Sequence, residues 1–168
     1  MSTITDPEYI DFPGTPTAVV RREALPVAEM VEFMDSTFRA LGAAIGAGLV
    51  APTGPAFSRY DTEFTDTVTI EAGFPVAEPL AGPIEAAEPG GPTVVGSSLP
   101  ACELATAKHI GPYDGLPEAW AEFAGRIAAS GRALGMPVWE AYDTEPTPDT
   151  DPATLVTGLA VPVIARAE

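Results

Sequence analysis

The sequence predicts an α+β domain built from two similar βαββ halves. Three observations carry that expectation. Two amphipathic helical stretches stand at matching places in the chain, β-type runs flank each of them, and one such run recurs with five of nine positions identical. In the expected fold the halves form one antiparallel sheet, with two helices on one face and a groove on the other.

Residues 17–24 read as a strand after a Pro-rich lead-in. Pro26 suits the first turn of a helix, where its missing N–H would have no partner anyway. Val27, Met30, Val31, Met34, Phe38, Leu41 and Ile45 then recur at spacings of three and four. They make one apolar stripe, with Glu29, Glu32, Asp35 and Arg39 elsewhere on the helix. Gly46 and Gly48 end it. Residues 55–60 and 67–76 read as strands joined by a polar turn at 61–66. Residues 77–98 form a connector poor in bulky side chains, with four Pro and three Gly in 77–92 alone.

The second half follows the same plan. Residues 102–110 read as a strand and 111–115, GPYDG, as a turn. Pro117 opens a helix whose stripe is Leu116, Trp120, Phe123 and Ile127, with Gly135 beyond its end. Residues 137–142 and 155–164 are the last strands, separated by an acidic, Pro-containing loop at 143–152. PAFSRYDTE at 55–63 lies against PVWEAYDTE at 137–145, with five of nine positions identical and Phe57 matched to Trp139. GFPV at 73–76 lies against AVPV at 160–163. An internal duplication accounts for both, with halves of about 15–76 and 99–164 inside a single domain over 1–168.

Composition narrows the function classes. Hydrophobic residues make up 46% of the 168 residues and charged ones 19%, enough apolar surface to build a core. The 24 Asp and Glu against 8 Lys and Arg give a formal charge of -16. So few basic groups disfavour direct nucleic-acid binding and docking to an anionic membrane, whereas a negative field attracts cations. Cys102 is the only cysteine, so no disulfide forms within the chain, and one Cys with one His leaves no Cys/His zinc site. No cofactor is expected. A start rich in acids and a longest apolar run too short to span a bilayer point to the cytoplasm.

Strand alternation sorts the candidate site residues. Trp139 and Ala141 share one face, Glu140 and Tyr142 the other; Phe57 and Arg59 share one face, Ser58 and Tyr60 the other. If Phe57 and Trp139 pack the helices, then Ser58, Tyr60, Glu140 and Tyr142 point into the groove. The repeat thus yields paired tyrosines but a Glu where the other half has Ser. A carboxylate among aromatic rings needs compensation, which a bound cation supplies, and tyrosine faces add cation–π attraction. His109, at a strand end before IGPY, reads as a turn residue rather than a catalyst, and no Ser-His-Asp triad has support. GAGLVA at 46–51 follows a helix, so it is no dinucleotide fingerprint.

SLPACELATAKHIGPY at 98–113, WEAY at 139–142 and FSRY at 57–60 together resemble the signature segments of the GyrI-like domain, the effector-binding domain of multidrug-responsive regulators. The resemblance runs from about residue 17 to 164. It implies a duplicated βαββ fold and a pocket glutamate for cationic aromatic ligands at Glu140. It also implies aromatic walls at Tyr60, Trp139 and Tyr142. The chain leaves no room for the DNA-binding segment of regulator members, so it resembles a stand-alone member. Such relatives bind small molecules, hydrolyse cyclopropane-bearing genotoxins, or inhibit a topoisomerase as protein partners. The residues leave these outcomes open. In the hydrolytic case Glu140 would be general base, with Tyr60 or Tyr142 as hydrogen-bond donor.

Overall fold

The computed structural model describes residues 3–86, 89–144 and 148–165. Ala87 and Glu88 of the connector, and 145–147 of the acidic loop with the repeated Glu145, lie outside the described residues. In chain order the elements are β1 (Glu8–Phe12), β2 (Thr15–Pro26), α1 (Met30–Gly46), β3 (Phe57–Tyr60), β4 (Thr67–Pro75) and β5 (Val95–Leu99). They continue as β6 (Cys102–Ile110), α2 (Leu116–Ala129), β7 (Arg132–Leu134), β8 (Val138–Tyr142) and β9 (Val156–Ala165). Two helices with antiparallel strands make this an α+β fold, as the patterning predicts.

The chain divides into two compact units, Pro13–Ala101 and Met1–Phe12 with Cys102–Glu168. In the first, β2 pairs with β4 and β5, and β4 with β3. In the second, β6 pairs with β1 and β9, and β9 with β8 and β7. Strands β1, β5 and β7 have no counterpart in the sequence reading. The strand leading into each half of the repeat pairs inside the other unit: β1 joins β6, and β5 joins β2.

In the second unit α2 seats Leu116, Ala119, Phe123 and Ile127 on Ala105 and Ala107 of β6 and Leu159, Val161 and Val163 of β9. Phe123 and Ile127 are fully buried, each removing about 2 kcal/mol worth of apolar surface from water. The expected stripe of α2 holds, with Trp120 half-buried at its margin.

The expected stripe of α1 is displaced. Its buried line is Phe33, Thr37, Leu41 and Ala44; Met30, Met34, Phe38 and Ile45 form a half-buried flank. Val31 is 75% exposed and Val27, in the turn before the helix, 38%. The buried line thus alternates large Phe33 and Leu41 with small Thr37 and Ala44.

Strand β4 contains a close backbone approach. Gly73 stands opposite both Val19 and Phe57, and a Cβ there would lie 2.0 Å from the Ala18 carbonyl oxygen. Backbone on both sides cannot yield as a side chain would. Gly73→Ala is therefore expected to destabilise the protein by about 3 kcal/mol or more, read as a lower urea midpoint at unchanged slope.

Candidate functional site

The helix-facing side of the Cys102–Glu168 unit carries the polar residues of interest. Glu140 stands opposite Leu159, and Tyr142 opposite Thr157. Leu159 lies in the core beneath α2, so Glu140 and Tyr142 point toward the helix and Trp139 points away. This corrects the expected orientation. Trp139 packs on Phe12 with ring centroids 5.8 Å apart, on the side that lacks the helix. The same inversion holds in the other unit: Ser58 donates to the Met34 sulfur of α1 at 3.8 Å, and Phe57 faces away with Arg59. Alternation groups these residues correctly; it does not say which group meets a helix. Nor is the face away from α1 bare, since Val19, Phe57 and Glu71 on it are buried.

Glu140 is 7% exposed, so its carboxylate needs partners. The Trp120 indole N–H donates to Oε1 at 2.7 Å and the Tyr142 hydroxyl donates to Oε2 at 3.1 Å. Tyr113, in the turn that opens α2, meets the Tyr142 ring edge-on at 5.9 Å. Burial pushes the Tyr113 hydroxyl above its ordinary range, and the charge of Glu140 adds to the effect. The result is a carboxylate held by two neutral donors amid three aromatic rings. Trp120 and Tyr113 are the residues the sequence reading did not assign to the site. Trp120 lies next to the helical stripe it was counted in, and its N–H was the available signal.

Ser58 and Tyr60 share the helix side of their own unit, both buried, with Tyr60 edge-on to Phe64 at 4.8 Å. Separately, a cleft of about 930 Å³ opens on the opposite flank of α1 from Met34, lined by Arg22, Glu29, Glu32, Arg39 and Val95 among others. None of Ser58, Tyr60, Tyr113, Trp120, Trp139, Glu140 and Tyr142 lines it. Cys102 is half-buried, and burial pushes its thiol up. Among the described residues no three His, Cys, Asp or Glu cluster in a way that could hold a metal ion. No helix of the described residues is long and apolar enough to cross a membrane.

His109 is 1% exposed and stands opposite Thr157; its Nδ1 and the Thr157 Oγ1 are buried without a hydrogen-bond partner among the described residues. Its ring fills the space under the GPYDG turn, where a Cβ on Gly115 would lie 3.2 Å from Nε2. It thus supports the turn that presents Tyr113. Burial lowers its pKa from 6.5. Unfolding exposes it to protonation, so below 6.5 the unfolded state binds more protons and stability falls as pH falls toward the lowered folded value. Urea midpoints at about pH 7.5 and about pH 5.5 should therefore differ, and His109→Gln should shrink the difference.

The profile of the GyrI-like small molecule binding domain matches residues 5–164. No curated protein matches by sequence. Several solved structures share the fold. The EcmrR C-terminal domain has 20% identity and a TM-score of 0.73, with 96% of this chain and 98% of that one covered. EcmrR in its DNA complex has 17% identity and a TM-score of 0.72, and there the match takes in 99% of this chain but only 59% of that one. SAV2435 bound to tetraphenylphosphonium has 10% identity and a TM-score of 0.66, covering 95% and 94%. A hydrolase from Listeria innocua has 14% identity and a TM-score of 0.59, covering 94% and 91%.

Proposed function

The chain belongs to the GyrI-like small-molecule-binding domain family, and from that premise we propose that it binds a compact aromatic cation, with Glu140 as the counter-charge. The observation that carries this reading is a buried carboxylate set among Trp120, Tyr142 and Tyr113. Aromatic faces attract a cation by about 0.5–2 kcal/mol each, more as water is excluded. The formal charge of -16 raises the local concentration of cations. Support also comes from SAV2435, which shares the fold and binds tetraphenylphosphonium. The sparse Lys and Arg argue against the chain contacting DNA by itself.

The matched pair N-methylacridinium and neutral acridine tests the charge at about pH 8, where acridine is uncharged. Glu140→Gln keeps the shape and removes the charge. The cation should weaken by about tenfold or more and the neutral analogue much less. Equal losses would defeat the proposal.

One contact favours a second, hydrolytic reading: the Tyr142 hydroxyl sits beside the Glu140 carboxylate. A cyclopropane conjugated to a carbonyl opens when water adds to a ring carbon. Glu140 takes a proton from that water as its oxygen bonds to carbon. The ring C–C bond breaks, its electron pair moves through the conjugated system to the carbonyl oxygen, and that oxygen takes up a proton from solvent, to which Glu140 returns the one it took, while the Tyr142 hydroxyl turns from Oε2 to hydrogen-bond the carbonyl oxygen. Incubation with excess substrate should then give several equivalents of ring-opened alcohol by mass spectrometry, and Glu140→Gln should give none while still binding. Product that never exceeds the spontaneous rate removes this reading.

A further inference from the structure

Trp120 does something no wall residue needs to do: it spends its single polar group on Glu140. An indole N–H donates and cannot accept, so at 2.7 Å it engages the negative charge of Oε1 directly. The indole is held in place. It is half-buried on α2 and tilted against Phe123 with centroids 5.8 Å apart, and Phe123 is fully buried. Tyr142 treats Oε2 in the same way, but its hydroxyl can rotate to accept.

We propose that Trp120 is a specificity-determining residue: by donating to Oε1 it sets how strongly the site prefers a cation over a neutral aromatic of the same shape. This rests on the binding reading above. A cation arriving at Glu140 meets a charge that the protein already partly compensates. It must share Oε1 with the indole or displace it, so the two donors oppose each other. A neutral aromatic faces no such competition and leaves the carboxylate satisfied. The outcome is a site that accepts both classes, with its charge preference held down by one hydrogen bond. Without that donor, the buried carboxylate would demand a cation more strongly.

The test uses the whole chain at about pH 8 with N-methylacridinium and acridine. Trp120→Phe keeps a ring against Phe123 and removes the donor. Replacement of Trp120 by β-(3-benzothienyl)alanine, which has nearly the indole shape with sulfur in place of N–H, guards against a packing effect. Both variants should raise the ratio of cation to neutral affinity by about tenfold, since one hydrogen bond to a charged group is removed. A purely structural role would weaken both ligands together and leave the ratio where it was. A ratio that is unchanged or lower in the benzothienyl variant overturns the inference. The Glu140→Gln comparison decides the binding reading independently of either result.

Discussion

A carboxylate buried beneath a helix has to be hydrogen-bonded, and much of the Cys102–Glu168 unit is arranged around that need. Stranding one such charge without partners costs several kcal/mol, a large part of a domain's net stability. Both oxygens of Glu140 are met, one from the helix and one from the same strand. The first donor depends on the seating of α2. Leu116, Ala119, Phe123 and Ile127 fix the helix on β6 and β9, and that places Trp120 over β8. The start of α2 rests in turn on His109, whose ring would crowd a side chain at Gly115. Core packing and site geometry are therefore one arrangement, and a cavity under α2 would be felt at the carboxylate.

The Pro13–Ala101 unit repeats the geometry but moves the charge. On its helix side stands Ser58, buried and touching Met34, where the other unit has Glu140. Its charges sit on the reverse face. Arg21 reaches Asp61 and Glu71 at 2.7 Å each, Arg59 reaches Asp61 at 2.7 Å, and Ser97 donates to Glu71 at 2.6 Å. Burial works against the ionised Asp61, but the two guanidinium groups outweigh it and hold its pKa below the ordinary value. Here the ions compensate one another, whereas Trp120 and Tyr142 meet Glu140 with neutral donors. The two units share a plan of strands and one helix and differ in which face of the sheet carries their buried charge.

Much of this was legible in the sequence for identifiable reasons. The period of three and four in Leu116, Trp120, Phe123 and Ile127 marks α2 because it puts one apolar residue of every turn on the face that meets the sheet. The repeated YDTE marks equivalent hairpins, and alternation pairs Glu140 with Tyr142 without error. Three things were not legible. Strands β1, β5 and β7 are short, and the first two are edge strands whose pairing partners lie far along the chain; Gly96, Ser97 and Ser98 in β5 give no apolar alternation. The face met by each helix is decided by packing, since Phe57 and Trp139 are as apolar as anything α1 or α2 could bury against. And Val31 belongs to the apolar stripe by spacing and Thr37 does not, yet Thr37 is buried and Val31 exposed: the rotation of the helix on its sheet is set by packing that hydropathy alone does not show.

The crossing of β1 and β5 has a consequence for how the duplication can be divided. A cut after Ala101 would separate the repeat cleanly in sequence, but the first fragment would keep β1, whose partner β6 lies in the second. A cut before β5 would strip β2 of its edge and attach that strand to the other fragment. Neither half is a self-sufficient piece of chain. If each half were a separate molecule with its own leading strand, two copies would meet the same requirement by exchanging those strands. In the fused chain that exchange is intramolecular, so its effective concentration no longer depends on how much protein the cell contains.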